Sequence, residues 1–210
     1  MKNFDFDLNL NMGNQPQKKA ICVFCSSSEV LDNSYFEVAK QMGKLIAENG
    51  FNLVHGGGMI GLMGAISESS QKYGSKVTGV LPERLNLEGI ASETDDEIII
   101  TKDMADRKTE MRKRSEAFIA LPGGFGTLEE ISEVITLKQL KYHTKPIVIL
   151  NTNEFYSPLI QMFEKFYEHS FAKVEYRNLY FVAKTPEEAI QYINDYKYEE
   201  VKDKWFFKNL

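Results

Sequence analysis

A chain of 210 residues suits one domain with a core of its own, and 43% hydrophobic with 26% charged residues is the balance of a water-soluble globular protein. A formal net charge of −5 excludes broad binding to nucleic acid or anionic membranes, which needs a positive field, so any anionic ligand must be held by a local pocket. No apolar run approaches the roughly 20 residues of a membrane span, and Met1 to Lys19 lacks the cationic and apolar regions of a secretory signal, so the expected location is cytoplasmic.

Residues 1–17 are polar, rich in Asn and without periodicity, and are expected to form a disordered arm. The first strand is Ala20–Phe24, where Cys22 and Cys25 make a C-x-x-C. Positions three apart on a strand face opposite ways, so the thiols should not meet; buried, unlinked cysteines are the expectation rather than a redox pair or metal site. A helix over Tyr35–Asn49, closed by Gly50, leads to a strand at Phe51–Val54. The Gly-rich stretch after it opens a helix over Gly61–Tyr73, closed by Gly74. Strands at Lys76–Val80 and Glu97–Ile100 precede a helix at Asp106–Ser115 and a strand at Ala117–Leu121. Helices at Leu128–Lys141, Tyr156–His169 and Glu187–Asp195 alternate with strands at Pro146–Leu150 and Leu179–Val182. Seven short apolar strands alternating with helices predict an α/β fold, a mostly parallel sheet covered on both faces. Residues 18–195 form one catalytic domain in this reading. The tail 196–210, with Trp205, Phe206 and Phe207, is expected to dock on the body or on a partner.

Ligands of an open parallel sheet bind outside the carboxyl ends of its strands. Three loops follow strands directly: Ser26-Ser27-Ser28, His55-Gly56-Gly57-Gly58, and Pro122-Gly123-Gly124-Phe125-Gly126-Thr127. Arg107 and Lys108, at the start of a crossover helix, should face the same edge. In the third loop, glycines let the backbone approach an anion, and the following helix offers unpaired N–H groups. The competing explanation is a tight turn that needs glycine for steric reasons.

Glu130 carries two readings. Thr127-Leu128-Glu129-Glu130 fits a capping box, with Glu130 reaching back to the Thr127 backbone. On a helical wheel, Leu128, Ile131, Val134 and Ile135 form the buried stripe with Glu130 at its margin, where a carboxylate near Arg107 suits catalysis. Spacing alone leaves the two even. The second glycine loop, Gly56–Gly61, matches G-x-G-x-x-G, with Glu83 some way on in the position of a ribose-binding acid. A nucleotide- or dinucleotide-binding protein without hydrolase activity is therefore the competing function, although its loop follows the second strand rather than the first.

His55, His143 and His169 are not at metal-ligand spacing, and neither an H-E-x-x-H nor a cysteine quartet occurs. They read as packing or surface residues, with His55 bordering the crevice; no metal and no cofactor is expected. Ser26 to Ser28 lack the G-x-S-x-G elbow and read as loop hydroxyls able to donate to a ligand. Arg112, Lys113 and Arg114 suit a helix C-terminus, where cations meet the dipole.

At these residues the sequence resembles the LOG ("Lonely Guy") phosphoribohydrolases, formerly described as lysine decarboxylase-like. The matching motifs are Pro122-Gly-Gly-Phe-Gly-Thr-Leu-Glu-Glu130 and Arg107-Lys108-Thr109-Glu110-Met111. Gly56-Gly-Gly-Met-Ile-Gly-Leu-Met-Gly64, Gly79-Val-Leu-Pro82 and Val134-Ile-Thr136 support them. The resemblance implies a Rossmann-like three-layer fold, and hydrolysis of the N-glycosidic bond of an adenine-type (cytokinin) nucleoside 5′-monophosphate to free base and ribose 5-phosphate. It also implies a homodimer, to which Met59, Met63 and the aromatic tail offer apolar surface. It places catalytic roles on Arg107 and Glu130, and substrate contacts on Lys108, Gly123, Gly124, Gly126, Thr127 and Glu129. Further contacts are expected at Ser26, Gly58, Glu88 and Thr136. Two positions depart from the family: Cys25-Ser26-Ser27-Ser28 stands where C-G-S-S is common, and Gly89 stands where plant members carry a substrate-contacting Glu, with Glu88 adjacent.

Overall fold

The computed structural model describes residues 19–200. The strands are β1 (Ala20–Phe24), β2 (Asn52–His55), β3 (Val77–Pro82), β4 (Glu97–Thr101), β5 (Ala117–Ala120), β6 (Ile147–Leu150) and β7 (Phe181–Ala183). The helices are α1 (Asn33–Glu48), α2 (Gly61–Lys72), α3 (Met104–Lys113), α4 (Phe125–Gln139), α5 (Ser157–Glu168) and α6 (Pro186–Asp195). The strands form one seven-stranded sheet in the order β4-β3-β2-β1-β5-β6-β7, and every pairing is parallel. It is a Rossmann-like α/β fold.

Each central strand is apolar on both faces because both are covered. Ile21 and Val23 join Met42, Ile46, Leu62, Ile66 and Ile190 under α1, α2 and α6. Ala20, Cys22 and Phe24 join Met111, Ile131 and Val134 under α3 and α4. The period-2 alternation separates the cysteines as expected: Cys22 belongs to one core and Cys25 to the other, and both are buried free thiols. Burial pushes both thiols well above the ordinary range, so they are neutral and unreactive as nucleophiles.

Strand β1 lies between β2 and β5, so the chain winds outward to β4 and then returns to the other side of β1. The crevice between the carboxyl ends of β1 and β5 is the switch point where such folds bind ligands. Three helices start with side-chain caps: Asp32 accepts from the Ser34 N–H, Asp103 from Ala105 and Asp106, and Thr185 from Glu188. Helices α2 and α4, which begin at the crevice, have none.

Two details of α4 differ from expectation. It starts at Phe125 with Gly124 as N-cap, three residues before the predicted start, because glycine's low helix propensity masks a first turn that tertiary contacts hold. Its inner stripe is also turned: Thr127, Glu130, Ile131, Val134 and Lys138 are buried, whereas Leu128 is exposed and Ile135 only half-buried. A stripe drawn from apolarity misses this, because the buried polar residues have partners. The Lys138 ammonium donates to the Leu179 carbonyl at 2.9 Å and lies 4.9 Å from the centre of the Tyr196 ring.

The predicted arm at 1–17 lies outside the described residues, as do Trp205, Phe206 and Phe207. The described part of the predicted tail runs over the body, where the Tyr196 ring packs on Tyr192 and Glu200 pairs with Lys141 at 3.3 Å. Among the described residues, no helix is long and apolar enough to cross a membrane.

Candidate active site

A cleft of about 590 Å³ opens at the carboxyl ends of β1, β2, β3 and β5. Ser26, Ser27 and Ser28 form one wall, and Gly56, Gly58 and Met63 the next. Leu81, Leu85, Ile90 and Met104 give it an apolar side. Arg107, Glu130 and the start of α4 close it.

The floor is an ion pair between α3 and α4. Arg107 and Glu130 are both buried, and Arg107 Nη1 donates to Glu130 Oε1 at 2.5 Å. Arg107 Nε donates to the Val80 carbonyl at 3.0 Å, and Nη2 rests on Gly56, where an added Cβ would stand 2.4 Å from it. The guanidinium is therefore held on three sides. Burial pushes the Glu130 carboxyl up, and the Arg107 charge and hydrogen bond offset only part of that, leaving it raised. The capping-box reading of Glu130 falls. Thr127 sits inside the first turn of α4 rather than at its N-cap, and the Glu130 oxygen is engaged with Arg107.

The glycines of the β5–α4 loop separate the steric explanation from the ligand explanation. A Cβ on Gly123 would stand 2.2 Å from Thr127 Oγ1, so Gly123 is required by the turn itself. At Gly124 and Gly126 a Cβ would meet nothing within 4 Å among the described residues, and neither residue has a positive φ. The fold has no internal need for glycine there. Both line the cleft, at the open N-terminus of an uncapped helix, where the first backbone N–H groups lack intrahelical partners.

The Gly56–Gly61 loop is filled by the protein itself. Gly56 seats Arg107, and Gly61 packs so closely that a Cβ would stand 2.5 Å from the Ser27 backbone. The Leu62 N–H, near the start of α2, donates to the Ser26 carbonyl at 3.0 Å. Close packing thus accounts for the glycines at 56 and 61, while Gly56 and Gly58 also line the cleft.

Of the other predicted contacts, Ser26, Gly58, Thr127 and Glu129 line the cleft. Ser26 Oγ accepts from the Ser28 N–H at 3.1 Å. Lys108 does not line it: its ammonium pairs with Glu129 and, at 3.5 Å, with Glu133. Glu88 is exposed on the loop beyond Leu85 and also lies outside the lining. Thr136 is remote, its hydroxyl donating to the Ser132 carbonyl at 2.8 Å beside a separate hollow against α5. The basic cluster is structural, with Arg112 on Glu133 at 2.6 Å and Arg114 on Glu110 at 2.6 Å. His143 has both ring nitrogens occupied, one on the Val134 carbonyl at 2.9 Å and one on the Lys145 N–H at 3.2 Å. Burial pushes its pKa down to about 4, which suits a neutral packing residue. Among the described residues, no group of three His, Cys, Asp or Glu is arranged to hold a metal ion. Sequence reasoning missed the apolar wall residues Leu85, Ile90 and Met104, which sit in segments without periodicity.

Residues 63–193 match a family model described as "Possible lysine decarboxylase". The chain is 42% identical over 188 residues to the cytokinin riboside 5′-monophosphate phosphoribohydrolase LOG1 of Arabidopsis thaliana, covering 89% of this chain and 88% of that protein. It is 39% identical over 191 residues to the Arabidopsis LOG4 enzyme of the same name, covering 89% of each. The chain belongs to the LOG family. Solved structures share the fold more widely. A molybdenum cofactor binding protein from Rippkaea orientalis is 25% identical with a TM-score of 0.64, covering 85% of this chain and 97% of that one. The molybdenum cofactor carrier protein of Chlamydomonas reinhardtii is 24% identical with a TM-score of 0.66 and the same coverage, a likeness of fold alone. Arg107 and the stretch from Gly124 to Glu130, within the two motifs that carried the resemblance, supply the cleft floor.

Proposed function

We propose that this cleft hydrolyses the N-glycosidic bond of a cytokinin-type nucleoside 5′-monophosphate, releasing the free base and ribose 5-phosphate. The observation that carries the reading is the buried Arg107–Glu130 pair beside an uncapped helix N-terminus whose glycines leave open space. The 5′-phosphate lies at the N–H groups of Gly124, Phe125, Gly126 and Thr127, where the helix dipole favours an anion. The ribose then sits over Glu130, and the purine lies along Met63, Leu85 and Ile90. Departure of the base leaves an oxocarbenium-like centre at C1′. Water forms the new C1′–O bond as the C1′–N9 bond breaks, with its electron pair going to the base. Glu130 carries the negative charge that stabilises the centre and takes the proton the water loses; the base is reprotonated from solvent. Arg107 fixes the Glu130 carboxylate and supplies positive charge toward the departing base.

The decisive experiment incubates the protein with isopentenyladenosine 5′-monophosphate and with AMP, follows free base and ribose 5-phosphate, and measures NAD binding in parallel. Release of base from the isopentenyl nucleotide is expected. Binding of nucleotide without release would favour a carrier, and tight NAD binding would favour the Gly56–Gly61 loop.

The working form in this proposal is a homodimer. Phe125 is 90% exposed, Leu128 is exposed one turn further along α4, and Met104 and Met162 are exposed on α3 and α5. Exposed apolar side chains of this kind suit a symmetric contact. Sedimentation at micromolar concentration is expected to give twice the chain mass, and Leu128→Lys to shift it toward monomer. A monomeric wild type with full activity would refute the dimer.

A further inference from the structure

Across the sheet from Arg107 lies a polar cluster that the mechanism leaves without a role. The His55 and Asp95 side chains are fully buried, with His55 Nε2 2.7 Å from Asp95 Oδ2. Asp95 Oδ1 accepts from Ser67 Oγ at 2.6 Å, and the Asp95 N–H donates to Ser92 Oγ at 3.2 Å. Burial pushes the Asp95 carboxyl up, but its contacts with His55, Ser67 and Ser92 outweigh that and hold it below the ordinary carboxylate range. Asp95 is therefore an acceptor at neutral pH, and the shared proton sits on His55 Nε2. His55 Nδ1 is buried with no hydrogen-bond partner among the described residues. Desolvating a carboxylate and leaving a ring nitrogen unpaired costs stability that apolar side chains of the same bulk would not.

The strand register shows what the cluster holds. His55 and Gly79 are partners on β2 and β3; Gly56 and Val80 come next. Side chains alternate along a strand, so His55 and Gly56 address opposite faces. On one face the Asp95 carboxylate is seated on bare backbone: a Cβ on Gly79 would stand 2.5 Å from Oδ2 and 2.8 Å from the Gly57 Cα. On the other face, Gly56 and the Val80 carbonyl are the two supports of the Arg107 guanidinium. The residues that seat Arg107 thus immediately follow the residues that seat the His55–Asp95 bond. Main-chain bonds tie in the same loop, from the Ser92 N–H to the Gly57 carbonyl at 2.8 Å and from the Met59 N–H to the Ile90 carbonyl at 2.9 Å.

We propose that His55 and Asp95 are positioning residues: their buried hydrogen bond fixes Gly56 and Val80, and through them the plane of the Arg107 guanidinium against Glu130. The proposal rests on the reading of Arg107 and Glu130 as the reacting pair. Small misplacements at a reacting centre can cost about a hundredfold in rate, so a device acting one residue away has leverage on kcat without touching substrate.

Two changes test it. Asp95→Asn keeps size and one acceptor oxygen but loses the charge; the double variant His55→Phe with Asp95→Leu replaces the pair by apolar bulk and leaves no orphan charge to unfold the chain. With isopentenyladenosine 5′-monophosphate, each is expected to lower kcat about tenfold while KM changes less than about threefold, the signature of a loss confined to the transition state. The second readout is the arginine ¹⁵Nε–¹Hε spectrum without substrate, with the Arg107 signal assigned by Arg107→Lys. That signal is expected to shift or broaden in both variants while circular dichroism stays that of the wild type. A purely structural role would lower Tm and leave both the Arg107 signal and the kcat of folded enzyme unchanged, and that result would overturn the proposal. The spectrum needs no turnover, so an inactive wild type with a displaced Arg107 signal in the variants would refute the functional reading and spare the positioning one.

Discussion

Glu130→Gln is expected to lower kcat by about a hundredfold or more, the scale on which groups acting in the transition state contribute, while the protein melts within a few degrees of the wild type. The two halves of that expectation have separate causes. A glutamine keeps the bulk in a buried site and retains an oxygen to accept from Arg107 Nη1, so the contact that joins α3 to α4 survives in weaker form. A loss of about 1 kcal/mol there corresponds to a fall of about 2–4 °C in Tm for a chain of this size. The amide cannot carry the charge that balances an oxocarbenium-like centre, nor take a proton from water. The pH profile adds a check. Burial holds the Glu130 carboxyl above its ordinary range, so the acid limb of kcat/KM, which reports the free enzyme, should lie above that range and vanish in the glutamine variant. The linkage runs the same way: a raised folded-state pKa makes ionised Glu130 a cost to stability that grows as pH rises through the carboxylate range. The glutamine change removes that cost while weakening the Arg107 bond. Near-normal turnover in a folded Glu130→Gln variant would return Glu130 to a structural role.

What the sequence made legible was whatever depends on local period and local chemistry. Ala20–Phe24 reads as a strand because its residues are all apolar and stop short of a polar Ser run, and its bounds in the structure are the same. The opposite facing of Cys22 and Cys25 follows from the pleat alone. The convergence of Arg107 with the β5–α4 loop followed from topology, since crossover helices start at the edge where strands end. The illegible parts depend on partners distant in the chain. Nothing local says that Lys138 is buried, because its burial rests on the Leu179 carbonyl. The first turn of α4 was hidden by Gly124 and Gly126, whose low propensity for helix is overcome by the turn that Gly123 closes on Thr127. Asp95 lies in the acidic run Glu93-Thr94-Asp95-Asp96, which carries no local sign of burial; only the fold brings it onto His55, forty residues away in sequence. Two glycine loops of similar appearance differ for the same reason: Gly56 and Gly61 are packed by Arg107 and Ser27, whereas Gly124 and Gly126 face open space.

Removing the 5′-phosphate from the substrate is expected to cost about a hundredfold or more in kcat/KM, measured as isopentenyladenosine against its monophosphate under identical conditions. Hydrogen bonds from N–H groups to a charged oxygen contribute about 1.5–3 kcal/mol each, and two of them amount to that factor at about tenfold per 1.4 kcal/mol. In the proposed pose the donors are narrowed: Arg107 is committed to Glu130 and the Val80 carbonyl, and Lys108 to Glu129 and Glu133, so the backbone at the start of α4 is expected to carry most of the contact. Part of the loss should appear in kcat, because binding energy remote from C1′ holds the ribose in its reactive geometry. One substitution separates phosphate recognition from the integrity of the turn. A methyl group at Gly126 meets nothing in the free protein and replaces a poor helix former by the best one, worth up to about 1 kcal/mol in a helix interior. Gly126→Ala should therefore melt at or above the wild-type temperature, yet lose kcat/KM at least about tenfold for the monophosphate and little for the nucleoside, by crowding the anion off the amides. Equal kcat/KM for nucleoside and monophosphate in the wild type would remove the phosphate cradle from the mechanism. A Gly126→Ala enzyme that keeps full activity would move the phosphate away from α4.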